Sequence, residues 1–589
     1  MNFFRLNDTA CSSDIINEFP GLNLSEKKIP GQLASAMNVS TELYPFLTED
    51  TKTYKIKEHE GSYGAIALCD KLFECVTVGA VTKAYYGGLD TGLALTAGKK
   101  RLVRIGTRLI IFPDKKWYDA KSGESGLLEA FFESADGVGF RFELCDIDGA
   151  TVNATFSPVA PASAAVGSYW CDTSCSPYAL KFKGEDMWTE IYSVYTKITC
   201  PNAGVNFKAG DGVRISVGAS PLGGGFHVLE TVTDDFVIIP GIYTGAEASG
   251  ALKIERRLPL TDIEIECANR IWACRWGLNN ESEFVNEIYA SKLGDPTNFE
   301  CFEGISSDSY ALSLGSEGAF CGAVCYLGNP IFFKEKCFHK IFGSRPADFS
   351  VVTVDSAGPA VGCENSFALC DDILYYVSKE GVTMYDGAFP RIVSDRLGGI
   401  ELSEVSGASY SGKVLFSGMA DGRHRTFVLD SRKLLWSERE YLPLEFSASL
   451  GDSLLAAAGG SLYLLGAKES AAGSAVALCA GDAPTAEEVK WSFETGNLCP
   501  RFAEYVYKLV LRIKVATGAT VSVSAQYYDG GEFESVGVIR PCVERSYSIP
   551  IHTHRTDFFR LRFEGKGHFV LYSIARFTDK ASENALFRF

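Results

Sequence analysis

The sequence predicts an all-β protein: a β-propeller of about six or seven blades, with small inserted β-domains and a C-terminal β-sandwich. Three observations carry this expectation. Period-two alternation of apolar and polar residues is widespread, while helical periodicity is nearly absent. The 58 Gly, 26 Tyr and 39 Phe, set against 5 Met, favour strands and tight turns. A turn–strand–turn–strand unit also recurs at a pitch of roughly 40 residues, the spacing of propeller blades.

At 589 residues the chain is too long for one hydrophobic core. Residues 1–55, including EFPGLNLSEKKIPGQLASAMNVSTELYPFL, show no regular pattern and read as an extended N-terminal arm that packs along something else. Residues 56–119 carry the first blades, in GAIALCDKLFECVTV (64–78) and GTRLIIFPDKKWYD (106–119). The pitch breaks over 120–258, read as one or two inserted β-domains. Within them FSPVAPASAAVGS (156–168) is a linker or exposed loop, and the Gly-punctuated strands after 196 form a small barrel.

The remaining blades occupy 259–475, in ANRIWACRWG (268–277) with EIYAS (287–291), GNPIFFKEKCFHKIFG (328–343), DDILYYVSKEGVTMYDG (371–387), SGKVLFSGMADGRHRTFVLD (411–430) and GDSLLAAAGGSLYLLG (451–466). A propeller accommodates such repeats without a long exposed sheet edge. From 476 to 589 the alternation is cleanest, in KLVLRIKV (508–515), TVSVSAQYY (520–528) and DFFRLRF (557–563), which predicts a β-sandwich followed by a tail, TDKASENALFRF.

Charge and cysteine usage exclude several functions. The formal charge of −17 opposes general nucleic-acid binding, which needs a basic face. It suits plain solubility, or a passage through which nucleic acid slides without sticking. The stretch MNFFRLNDTACSSD lacks the apolar core of a signal peptide, and no run of 18 apolar residues offers a spanning helix. Cytoplasmic synthesis follows, with the 18 Cys expected as reduced, structural thiols. Cys171/Cys175 and Cys321/Cys325 are C-x-x-x-C pairs, and C-x-x-C is absent.

No constellation reads as a catalytic, cofactor or metal site, so none is assigned. His552 and His554 share a strand face, but two ligands are too few for a structural zinc. Cys337 and His339 sit among apolar neighbours and read as core. PLGGGFH (221–227) lacks the Lys-Ser/Thr of a phosphate loop and reads as a hairpin turn. GDGV (210–213) and SDSY (307–310) are short polar turns without the carboxylates of a calcium loop. A glycosidase would need two converging carboxylates; Glu300, Glu303 and Asp308 are candidates, but they read as rim residues. Trp272 and Trp276 fall at alternating strand positions and read as core residues.

The most distinctive segment runs from NRIWACRWG through NEIYASKLGDPTNFECFEGISSDSY to YLGNPIFFKEKCFHKIFGSRPADF. It resembles the tail nozzle, or packaged-DNA stabilisation, proteins of tailed double-stranded DNA phages. There a blade opening NR-x-W runs into I-Y-A-S-x-x-G-D-x-x-N-F, then a strand of L-x-x-F-K-E type. FPGLN…NVSTELYPFL, GTRLIIFPDKKWYD and the stretch from YVYKLVLRIKV to HFVLYSIARF are similar to other parts of that family; 120–258 is similar only loosely.

The resemblance implies a virion structural protein without enzymatic activity or cofactor, made in the host bacterial cytoplasm. It would form a ring of copies, a hexamer by family habit, beside portal, adaptor or tail proteins. The ring would retain packaged DNA and pass it at ejection, with no sequence-specific binding and no membrane. The N-terminal arm would drape over a neighbouring subunit. The alternative is a tail-tip propeller that binds a receptor or glycan. On the family reading EIYAS is a blade strand with Ile288 and Ala290 facing the core, Gly294, Asp295 and Pro296 turning the chain, and Phe299 packing the loop back.

Overall fold

The computed structural model describes residues 12–580 except 136, 244–250, 451, 467–484, 487–488, 500–503, 529, 552 and 554–557. The described residues are all-β, with two short 3-10 turns at Pro346–Asp348 and Asp395–Leu397. The chain divides into two compact units, one of residues 1–99, 334–337 and 355–589, the other of 100–333 and 338–354.

Four-stranded antiparallel meanders of the kind that build β-propellers dominate both units. In the second unit they run Arg101–Ile105 to Ser125–Leu127, Ile263–Cys267 to Tyr310–Ser313, and Phe320–Tyr326 to Ser350–Val354. Their first strands pack side by side in that order. Cys267 and Cys325, on neighbouring first strands, form a disulfide with Cα atoms 5.3 Å apart. This departs from the expectation of reduced thiols throughout, and Cys325 pairs across sheets rather than with Cys321.

The first unit holds meanders from Ser62–Leu68 to Leu89–Asp90 and from Ala368–Cys370 to Arg391–Ile392. A third runs from Leu402–Tyr410 to Leu435–Arg439, and a fourth joins Leu444–Leu450, Ser453–Ala458 and Ser461–Leu465 to Thr53–Glu58. In that last sheet a strand from near the start of the chain completes a meander begun some four hundred residues later, in the register Ser461↔Glu58 to Leu465↔Thr53.

The repeating turn of the sequence has a backbone cause. Between first and second strands sit two-residue hairpins with both central residues left-handed: Ala268 and Asn269 at φ 52° and 60°, Asp371 and Asp372 at 49° and 61°, Ser411 and Gly412 at 46° and 73°. This is the primed turn whose twist matches that of the flanking strands. Small or Asx-type residues tolerate it best.

The insertion starts later than the sequence reading placed it. The sheet that begins at Arg101 runs on through Ser125–Leu127, and inserted strands occupy Ala130 to Arg256. Instead of a self-contained barrel near 196–258, hydrogen-bond pairing divides these strands between two sheets. Ala130–Glu133 joins Leu252–Arg256, Gly212–Val217 and Ser220–Val228; Arg141–Cys145 joins Tyr195–Thr199, Phe236–Pro240 and Thr231–Val232. The two share a core of Phe140, Ile198, Val213, Ile215, Val237, Ile239 and Ile254. Strands from 130–145 supply the edge partners that a closed barrel would not need. A third small sheet spans Ala154–Ser157 to Trp188–Ile191.

The described part of the N-terminal arm pairs within its own chain. Ser12–Ile16 and Leu47–Glu49 lie against Phe569–Lys580, while Leu33–Met37 sits between Leu435–Arg439 and Lys490–Thr495. It thereby fuses a meander to C-terminal strands in one nine-stranded sheet. Phe19, Leu22, Leu33 and Ala36 are no more than 1% exposed and lie in a core shared with Trp436, Phe493, Val523 and Phe563, while Ile15, Ile29 and Leu43 stay exposed. That core also lies between the C-terminal sheets, through Val506, Leu509, Leu511 and Ile513 of Glu504–Val515. The tail from 581 onward lies outside the described residues.

Candidate functional site

The distinctive phrase builds a joint between a meander and the inserted sheets. Phe284–Ala290 pairs with Arg270–Leu278, placing Ala290 opposite Trp272 and Ile288 opposite Cys274. Ile288 and Ala290 are fully buried, as their alternation requires. The chain then leaves the sheet as a loop, 291–309, and returns at Tyr310–Ser313.

Arg270, the Arg of NRIW, holds that loop from below. It is 1% exposed, and its guanidinium donates to the carbonyls of Ser291 at 2.7 Å, Ser306 at 2.9 Å and Asp308. Burial pushes its pKa down, and the Asp308 charge opposes this. Ser291 Oγ accepts the Ile271 N–H at 3.0 Å. Gly294 takes the turn at φ 72°, and Phe299 packs back against Val103, Ile105, Phe112 and Ile271.

Polar side chains of the same loop reach the insertion. Asp295 accepts from Thr297 Oγ1 at 2.6 Å, Asn298 Nδ2 at 2.8 Å and the Lys208 ammonium at 2.7 Å. Burial opposes its charge, yet Lys208 and Thr297 hold it well below the usual carboxylate range. Asn298 Oδ1 accepts the Gly212 N–H at 2.9 Å, and its Nδ2 donates to Asp211 at 3.1 Å. Asp211 is fully buried and ion-paired with Arg256, which is 8% exposed. Arg214, lying over the Phe226 ring, grips Glu300 through Nε and Nη2 at 3.0 and 2.6 Å. Such charge-assisted, bidentate pairs fix orientation as well as contributing energy.

Of the three candidate carboxylates, Glu300 stands apart, while Glu303 and Asp308 lie near each other beside Cys301. Glu300 is engaged by Arg214, and burial still pushes its pKa up. Asp308 Oδ2 accepts the backbone N–H groups of Glu303, Gly304 and Ile305 at 2.7, 2.6 and 3.1 Å. Glu303 is exposed beside Cys301, whose thiol burial pushes up to about 11. Lys292 Nζ stands 3.4 Å from the Cys301 sulfur and 3.1 Å from the Gly210 carbonyl.

Asp211, Arg256, Arg270 and Asn298 were missed as site residues from the sequence. GDGV looked like a surface turn, and the one legible signal was an Arg in the apolar run NRIWAC, at the edge of a strand's buried stretch.

Elsewhere, His339 is buried between Ser316 Oγ at 2.8 Å and Thr353 Oγ1 at 3.0 Å, next to buried Cys337. His227 meets the Leu222 carbonyl at 2.9 Å within the PLGGGFH hairpin. Trp272 is buried, and Trp276 is partly buried against the same core. His552 and His554 lie outside the described residues. A cavity of about 750 Å³ in the second unit is lined by Leu127, Glu129, Phe131, Asn206, Arg257 and Asn280 among others. Among the described residues no helix is long and apolar enough to cross a membrane.

No family model matches the chain, and no curated protein matches it. Solved structures give distant likenesses. Apo AztD from Citrobacter koseri is 9% identical, with 66% of this chain and 95% of that one covered and a TM-score of 0.30. PorZ, a surface component of the type-IX secretion system of Porphyromonas gingivalis, is 10% identical, with 84% and 71% covered and a TM-score of 0.24. An exo-β-1,3-galactanase from Phanerochaete chrysosporium is 10% identical, with 53% and 94% covered and a TM-score of 0.19. Likenesses this distant carry no argument about what the chain does.

Proposed function

We propose that the protein is a structural component of a phage virion tail, of nozzle, stopper or tail-hub type. In this reading the meanders are blades of a β-propeller of about six or seven blades, and the C-terminal sheets form a β-sandwich. Copies of the chain form a ring of six around the DNA channel, next to portal, adaptor or tail proteins. The ring retains packaged DNA and opens for its ejection, with no catalytic step.

One observation supports this most. The residues that make the sequence distinctive, Arg270, Asp295, Asn298 and Glu300, are engaged in tying a loop to two sheets. They stiffen a wall, and their polar atoms are held by partners within the chain. Mass photometry and negative-stain microscopy of the purified full chain test the reading. Six-fold rings are expected; a monomer at every concentration, together with particles that keep their DNA without the protein, would overturn it.

A second reading, a glycan-binding propeller, has one observation in its favour. The cavity of about 750 Å³ combines polar groups of Asn206, Asn280, Glu255 and Arg257 with Phe131. Phe131 is 51% exposed and offers a ring face for stacking. Binding on a glycan array that is lost in Phe131→Ala supports this reading, and a blank array removes it.

A further inference from the structure

We propose that Cys301, Glu303 and Asp308 form a binding site for one divalent transition-metal ion of zinc type. Their ligand atoms all lie within 4.8 Å of one another. A thiolate with two carboxylates suits zinc or cobalt better than calcium or magnesium, which prefer all-oxygen shells.

The second observation is independent of the clustering. Asp308 is 3% exposed, and its Oδ2 is taken by three backbone N–H groups. Its Oδ1 is equally buried and has no hydrogen-bond partner among the described residues. A carboxylate oxygen shielded from water and lacking a donor is costly to keep and calls for an explanation. A bound cation supplies one.

Charge points the same way. Glu303 and Asp308 place two carboxylates beside the ammonium of Lys292. Lys292 Nζ is 3.9 Å from Glu303 and 3.4 Å from Cys301, and acts as a resident place-holder. Its bond to the Gly210 carbonyl at 3.1 Å gives it a position to keep when a metal displaces it from the sulfur.

The closing movement is small. Tetrahedral zinc with bonds of about 2.0–2.3 Å needs its ligand atoms about 3.3–3.8 Å apart. Cys301 and Asp308 are anchored by burial, so exposed Glu303 provides the adjustment. On binding, the thiol S–H bond breaks, the sulfur lone pair forms the metal–sulfur bond, and the proton passes to water. A water completes the fourth position.

The test uses the full chain stripped with chelator and titrated with cobalt(II), followed by its thiolate-to-metal absorption, and with zinc by calorimetry. One equivalent of thiolate-bound metal is expected. Cys301→Ser should abolish the absorption band, and Glu303→Gln, on an exposed side chain, should weaken affinity at least roughly tenfold. Lys292→Met should tighten binding several-fold by removing the competing cation, an effect that a purely structural lysine would not give. An absorption band unchanged in Cys301→Ser, or no thiolate-bound metal in the native chain, would overturn the proposal.

Discussion

Replacing Arg270 by Met should loosen the 291–309 loop while leaving the rest of the chain folded. The guanidinium is 1% exposed and serves four carbonyls, those of Ser291, Ser306 and Asp308 and, at 3.4 Å, Ser307. Hydrogen bonds from a charged donor contribute about 1.5–3 kcal/mol each. Against this stands the desolvation of the cation, seen as the lowering of the Arg270 pKa by burial. Methionine restores that desolvation term but leaves the buried carbonyls of Ser291 and Asp308 without their donor, at about 1–3 kcal/mol each. The net loss is about 3–4 kcal/mol, confined to opening of the loop.

Hydrogen exchange reads this locally. The amides of Leu293, bonded to the Ser307 carbonyl at 2.8 Å, and Gly294, bonded to the Asn269 carbonyl at 2.8 Å, report loop opening. A loss of about 3 kcal/mol corresponds to exchange roughly 150-fold faster. Amides within Glu504–Val515, in the first unit, serve as the control and should keep their protection. Arg270→Lys keeps the charge but not the fork, and should fall between the two. Exchange in the loop less than about fivefold faster in Arg270→Met would refute the reasoning. The hold would then come from the loop's other ties, among them Asp295, Asn298 and Glu300.

Three further outcomes follow from the geometry. Asp50 is 6% exposed and ion-paired to Lys413 at 2.9 Å; burial would raise its pKa, but Lys413 and Arg439 hold it below the ordinary range. Its stabilisation is therefore present above about pH 4 and lost as pH falls through the folded value. Thermal unfolding of Asp50→Asn should lose that acid limb and, at neutral pH, about 3–5 kcal/mol from stranding Lys413. A Cβ on Gly212 would meet the Glu300 carbonyl oxygen at 2.4 Å, so Gly212→Ala should expose the joint to limited proteolysis between 200 and 215, with meander fragments staying intact. Non-reducing peptide mapping should recover Cys267 linked to Cys325, and Cys267→Ser should lower the midpoint of thermal unfolding.

The fold was legible where the signal is local. Alternation marked Glu504–Val515, Thr520–Gln526 and Arg560–Lys566, because a half-buried strand exposes every second residue. The dipeptides Ala268-Asn269, Asp371-Asp372 and Ser411-Gly412 marked the meanders, because a two-residue primed turn needs left-handed backbone at both positions. The arm was not legible. Leu33–Met37 finds its partners at Leu435–Arg439 and Lys490–Thr495 through backbone hydrogen bonds, and backbone groups carry no residue-specific label. An arm with few neighbours of its own in sequence therefore looked destined for another subunit.

The joint failed to show itself for a different reason. Polarity in a short turn reads as exposure, and that inference inverts once a distant partner arrives. Asp211 in GDGV is fully buried because Arg256 and Asn298 close over it; Asp295 and Asn298 face Lys208 and Gly212 rather than water. Each of these atoms is satisfied in one geometry only, and a mismatch leaves a buried polar group without a partner. That constraint explains how a phrase such as NEIYASKLGDPTNFE can be so particular without performing chemistry. An apolar core accepts many combinations of similar volume, whereas a buried polar joint accepts few, so specificity of sequence gathers where polar atoms must meet across two elements.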